Sequence, residues 1–218
     1  MAVSSKQETS GDYPQIKNKA MQISLTHRLI LLLVLWIATC GIAPAQQPDP
    51  HGKENAQIKI LIQSGNEKAR QRDFDGAIAD FNEAIAIGKN LPDLLRAGPF
   101  VNRGLAYEGK GDYAAALADL NKAIKLNANN SYTYQDRADV YGKLKEWDKA
   151  LTDYSKVIKL TPKFPYAYRG RGLVLLHEGK DVEAQADFEK YLQLNPSGKD
   201  ALDKQIEEIK AERAVKQH

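Results

Sequence analysis

The chain is poor in the residues that most often do chemistry. Its 218 residues include one cysteine, Cys40, and four histidines, at positions 27, 51, 177 and 218. A single cysteine excludes a disulfide framework and any cysteine-based metal site. His177 is the only histidine within the repetitive part of the chain described below, and its neighbour Glu178 points elsewhere on a helix. It reads as a surface residue. No G-x-x-x-x-G-K-[ST], G-x-S-x-G or H-E-x-x-H pattern occurs. The expectation is a protein that is not an enzyme, with no cofactor, no metal and no small-molecule substrate.

A dominant charge is missing as well. The formal net charge is +3, and beyond residue 45 the balance is 27 basic against 26 acidic side chains. Interspersed charges of both signs leave no electrostatic footprint for nucleic acid. The "RGRG" at Arg169–Gly172 looks like an RNA-binding patch in isolation, but the repeat frame accounts for it.

Long apolar runs are scarce. One stands out, "LILLLVLWIA" from Leu29 to Ala38, preceded by His27 and Arg28 and followed by Ala43-Pro44-Ala45. A positive flank, a short apolar stretch and a small-x-small site are the parts of a secretory signal. Residues 1–45 are therefore expected to be a signal region cleaved before Gln46, with Met21 as an alternative start. Two other readings stay open: an uncleaved anchor over residues 29–45, short for a spanning helix that needs about 20 apolar residues, and lipidation of Cys40. An exported protein is expected, in a bacterial periplasm or anchored at its membrane. Without a disulfide, its stability must come from packing.

What the sequence has in abundance is itself. Gly65, Gly104, Ala138 and Gly172 are spaced 39, 34 and 34 residues apart, and Ala77, Ala116, Ala150 and Ala184 keep the same spacings. Phe74, Tyr113, Trp147 and Asp181 precede those alanines by three residues, and Phe81, Leu120, Tyr154 and Phe188 follow them by four. Each unit reads as two helices. In the second unit Ala116, Leu117, Leu120, Ala123 and Ile124 form one apolar stripe. Gly111-Asp112 breaks the pair in its middle, and Pro162 and Pro196 close later units because proline cannot continue a helix. Small residues let two helix axes approach while the aromatic residues fill the space around them. Two helices cannot bury their own apolar face, so neighbouring units must stack.

The segments "FVNRGLAYEGKGDYAAALADLNKAIKLNAN", "YQDRADVYGKLKEWDKALTDYSKVIKLTP" and "YRGRGLVLLHEGKDVEAQADFEKYLQLNP" resemble the tetratricopeptide repeat family, and "LIQSGNEKARQRDFDGAIADFNEAIAIG" is a degenerate first copy. The resemblance implies an all-α fold, a right-handed superhelical solenoid of helix pairs. It covers residues 58–197 as units 58–91, 97–130, 131–164 and 165–198, after a linker over 46–57. Leu202, Ile206 and Ile209 then give the region 198–218 the stripe of a C-terminal capping helix. Five extra residues in Gly88–Gly98 read as a loop insertion, in which Pro92 could open a helical turn and Leu94 and Leu95 could meet a partner.

The resemblance also implies a non-catalytic module that binds a protein or an extended peptide on the concave face made by its first helices. Mapped onto this chain, the exposed set is Lys59, Asn66 and Arg70, then Val101, Leu105 and Glu108, then Tyr132, Gln135, Asp139 and Lys143, then Tyr166, Arg169, Leu173 and His177. Partner contact is expected from Asn66, Asn102, Tyr132, Gln135, Asp139, Tyr166, Arg169 and Leu173. Some relatives hold chaperone C-termini through a two-carboxylate clamp. Asn66 and Asn102 match its asparagines, but Ile62, Tyr132 and Asp136 stand where it needs cations, which argues against that ligand. An alternative role is an assembly subunit of an envelope complex, or a homo-oligomer, that reads no peptide.

One departure carries a structural expectation. Arg103, Arg137 and Arg171 replace a usual leucine, while Asp80, Asp119, Asp153 and Asp187 recur in the second helices. Bases and acids with one period predict an Arg–Asp ladder between adjacent helices rather than an anion-binding row.

Overall fold

The computed structural model describes residues 51–216. Among them are nine α-helices, two 3-10 turns and no strand. Four helix pairs follow one another: α1 (Gly52–Arg70) with α2 (Phe74–Ile87), α3 (Asp93–Lys110) with α4 (Tyr113–Leu126), α5 (Ser131–Lys143) with α6 (Trp147–Leu160), and α7 (Pro165–His177) with α8 (Asp181–Leu194). A last helix, α9 (Lys199–Lys216), follows. The result is the all-α, right-handed superhelical solenoid expected. The leader, its cleavage site and Cys40 fall outside the described residues, and no described helix is long and apolar enough to cross a membrane.

The same backbone device makes each hairpin. Arg72, Gly111, Lys145 and Gly179 all have positive φ, at 64, 87, 59 and 77°, and their spacing is the repeat spacing. The amide of the following residue donates to a carbonyl five positions back: Asp73 to Lys68, Asp112 to Tyr107, Glu146 to Tyr141 and Lys180 to Leu175. This closes a left-handed C-terminal cap on every first helix. Asp73 and Asp112 then cap the second helices, accepting from the amides of Gly76 and Ala115 at 3.0 Å.

Only two of the four left-handed positions are glycine. A side chain there costs roughly 1–2 kcal/mol of strain, against about 0.5–1 kcal/mol for a glycine's extra freedom when unfolded. Lys145→Gly is accordingly expected to stabilise the array by about 0.5–1 kcal/mol in chemical denaturation. An unchanged or lower midpoint would show that Lys145 is unstrained.

Close approach of paired helices rests on the small residues. Ala77, Ala116, Ala138, Ala150 and Ala184 are fully buried. A Cβ on Gly65 would stand 2.6 Å from the Phe81 ring, and one on Gly172 would stand 2.5 Å from Phe188. On Gly104 it would meet Leu120 at 3.2 Å and the Ala116 carbonyl at 3.3 Å. Each bare Cα is the slot for the large side chain sixteen positions later. The third unit has Ala138 at that place, and there Tyr154 lies against Gly170 of the next first helix, where an added Cβ would stand 2.5 Å from the ring.

The Arg–Asp ladder is present in three units. Arg103, Arg137 and Arg171 each make two parallel bonds of 2.7 Å, through Nε and Nη2, to Asp119, Asp153 and Asp187. Each also reaches back to the preceding unit, where Nη1 donates to Asn82, Asn121 and Ser155 in turn. In the first unit Asp80 instead accepts from Ser64 and Lys68 at 2.6 and 2.8 Å. One guanidinium thus ties a helix pair together and joins it to its neighbour.

Two expected boundaries differ. The linker over 46–57 was expected to reach the first unit, but α1 already begins at Gly52 and buries Ile58 and Leu61. The insertion does not form a loop beyond its first turn: Gly88–Asn90 is a 3-10 turn, Leu91 is buried beside Ile58 and Ala84, and α3 starts at Asp93 with Pro99 inside it. Pro92 opens that helix as expected. Burial of Leu91 anchors the turn, so the added residues lengthen α3 and leave Leu94 and Leu95 exposed. At the other end Leu202, Ile206 and Ile209 of α9 pack with Leu176, Phe188 and Tyr191, closing the stack.

Candidate functional site

The first helices carry the expected partner residues. Asn130 accepts from the Tyr132 amide and starts α5, so Gln135, Asp139 and Lys143 fall at successive turns on one side. Pro165 starts α7 and sets Tyr166, Arg169, Leu173 and His177 likewise. The structure gathers these into two depressions. Asn66, Arg70, Asn102 and Leu105 line one of about 360 Å³ between α1 and α3. The other, about 450 Å³, lies between α5, α7 and α9 and takes in Gln135, Asp139, Tyr166, Arg169 and Leu173 with Glu108, Lys143, Trp147, Tyr154, His177 and Gln205.

Tyr132 joins neither. It is 63% exposed and sits edge-on to Phe164 at 5.4 Å, which in turn meets Tyr166 at 5.7 Å. Asn66, Asn102, Gln135, Asp139, Arg169 and Leu173 are half-buried rather than exposed, because neighbouring first helices crowd together on this side. His177 is likewise not a free surface group: its ring stacks on Trp147 at 4.9 Å and 9°.

Sequence reasoning missed Tyr154, Trp147 and Gln205. Tyr154 belongs to a series of core aromatics, and nothing in that series marks it as polar in purpose. Yet its hydroxyl donates to Asp139 at 2.5 Å. The signal was Gly170, the first glycine of "RGRG", which makes room for the ring. The Gln135 amide nitrogen also donates to Asp139, at 3.1 and 3.2 Å to its two oxygens.

The charged groups of the second depression come from α3, α5 and α7, and Asp136 of α5 stands outside its lining. Burial, then the charges of Asp139 and Glu108, push the Asp136 carboxyl up to about 7. Burial also raises Asp139, partly offset by the bonds from Tyr154 and Gln135. The Tyr154 phenol is held well above its ordinary value by burial and then by Asp139. Glu108 is paired with Lys143 at 2.7 Å. The Arg169 guanidinium lies over Tyr166 at 5.2 Å and over Tyr191 at 5.9 Å, and its buried Nε has no hydrogen-bond partner among the described residues. Among those residues, no group of three His, Cys, Asp or Glu side chains comes together to hold a metal ion.

Residues 99–130 match the tetratricopeptide repeat profile and residues 138–179 match that of the TPR repeat. These are tetratricopeptide repeats. The match adds to the helix-pair geometry and to the spacing of its small residues. The chain is 43% identical over 63 residues to the tetratricopeptide repeat protein 36 homolog of Nematostella vectensis, covering 29% of this chain and 32% of that one. It spans about a third of the length of the curated relatives it matches. Among solved structures it is similar to MamA, at 25% identity and a TM-score of 0.58 over 69% of this chain and 85% of the other. A tetratricopeptide repeat protein of Parabacteroides merdae has the same fold, with a TM-score of 0.60 and 23% identity over 72% and 61% of the two chains. A tetratricopeptide array of this kind is a protein–protein interaction module.

Proposed function

We propose that this tetratricopeptide array is exported to the cell envelope and binds a partner protein by holding an extended segment of it on the concave face. The observation that carries the reading is the depression between α5, α7 and α9, in which half-buried polar groups stand beside an exposed tyrosine. Tyr166, at 43% exposure, offers a rigid aromatic contact, and Gln135 and Arg169 keep buried polar atoms without partners. Such anchors carry most of the affinity in segment recognition. Export rests on the pattern from His27 to Gln46, and an N-terminus at Gln46 in the mature protein would support it.

The test is binding of extended peptides to the purified protein together with its size in solution. A monomer that retains a peptide, with Tyr166→Ala weakening it by about tenfold or more, is expected. An oligomer whose contacts ignore Tyr166 would replace this reading with that of an assembly subunit.

A further inference from the structure

The insertion that breaks the repeat spacing carries a pocket of its own. Leu91 is seated beside Ile58 and Ala84, and the lengthened start of α3 brings Leu95, Pro99 and Phe100 up to Ile58 and Ile85. Between them lies a cavity of about 80 Å³, and Gly88 in its wall has no side chain to fill it. Lys89 and Leu95 of the lining are exposed, so the cavity opens at the surface, and Leu94 next to it is 65% exposed. No lining residue is shared with either concave depression. The charged side chains of the lining are Lys89 and Arg96, both basic. Arg96 donates to Asp93 at 3.0 Å, whereas Lys89 has no hydrogen bond or ion pair among the described residues.

We infer that this pocket holds one branched aliphatic side chain (valine, leucine or isoleucine) from a partner protein's segment in which the adjoining residue is aspartate or glutamate. The site goes beyond the concave face and does not depend on how that face is read. Size limits the guest. A cavity of roughly 150 Å³ admits benzene, so one about half as large takes a three- or four-carbon group and shuts out a ring. The walls decide its polarity, because a polar head among Ile58, Ile85, Pro99 and Phe100 would lose its water without gaining a partner. The rim decides its neighbour. A carboxylate beside the anchor can meet Lys89 and Arg96, whereas a lysine there would be repelled. Leu94 and Leu95 add exposed apolar surface at the mouth for the rest of the segment.

The experiment uses the full chain and four pools of end-capped nine-residue peptides with flanks drawn from alanine, serine, glycine and threonine. The central pair is leucine–glutamate, leucine–lysine, serine–glutamate or tryptophan–glutamate. Fluorescence anisotropy at low salt is expected to rank the leucine–glutamate pool about tenfold tighter than each of the other three. Lys89→Glu, at an exposed position, should abolish that lead and favour leucine–lysine, while Tyr166→Ala should leave it unchanged. Circular dichroism confirms that both variants are folded. Equal binding of the four pools, binding of none, or a lead that survives Lys89→Glu overturns the inference. A lead lost in Tyr166→Ala but kept in Lys89→Glu moves the binding to the concave face and leaves that reading standing. If the chain alone self-associates and Lys89→Glu returns it to a monomer, a second copy fills the pocket and the partner segment falls.

Discussion

Asp153→Ala is expected to cost about 3–5 kcal/mol, the range for stranding one member of a buried ion pair. Asp153 is 3% exposed and takes both of its bonds from Arg137 at 2.7 Å. Arg137 is itself enclosed, lying over Tyr134 at 5.6 Å and Tyr141 at 5.8 Å while its third nitrogen holds Asn121 of the preceding unit. Removal of the carboxylate leaves that guanidinium at the contact between two units, where water reaches it poorly. At about 2–4 °C per kcal/mol for a chain of this size, the thermal midpoint should drop by roughly 10 °C or more. The double variant Arg137→Met, Asp153→Leu should cost less than either single change, because no orphan charge remains. A surface pair provides the control. Asp75 with Lys110 is 77% and 49% exposed, and Asp75→Ala should leave the midpoint where it was. An unmoved midpoint for Asp153→Ala would remove the ladder from the account of stability.

Asp136→Asn should act in the opposite direction, with an effect that grows from about pH 4 and is complete at neutral pH. The folded chain holds the Asp136 proton up to about 7, against 3.8 ordinarily. Between those values the native state binds more protons than the unfolded chain, so stability falls as pH rises from about 4 to 7 and is level above. Asn imitates the protonated carboxyl. The variant should therefore match the parent near pH 4 and exceed it at pH 8 by on the order of 3 kcal/mol, or roughly 5–10 °C in midpoint. The groups facing Asp136 set the size of this effect. Asp139 and Glu108 raise it, whereas Lys143 and Arg169 act mainly on those two neighbours. Melting curves at pH 4, 6 and 8 decide the matter, and a gain that is equal at all three would assign it to packing instead.

Much of the fold was legible because it follows from spacing. A small residue repeated at the same offset from a large one can be read without coordinates: the bare Cα of Gly65 admits Phe81 and that of Gly172 admits Phe188. The ladder was legible for the same reason, since Arg137 and Asp153 stand sixteen residues apart just as Arg103 and Asp119 do. The insertion was misread because composition says "turn" at Gly88 to Gly98. Seating of Leu91 against Ile58 decides that a helix begins almost at once, and a contact between residues so far apart leaves no local trace.

The sequence by itself determined that paired helices stack into an array with an apolar seam, because periodicity of small and large side chains is a one-dimensional property that packing obeys. Tertiary structure alone decided what the concave face is chemically. Tyr154 turns its hydroxyl to Asp139 because Gly170, on a different helix, leaves room for the ring. Gln205 reaches the same depression because the capping helix folds back over α7. The balance of charge at Asp136 depends on side chains from neighbouring first helices meeting in one place. Burial and electrostatic reach are set by distance in space, which the order of residues along the chain does not carry.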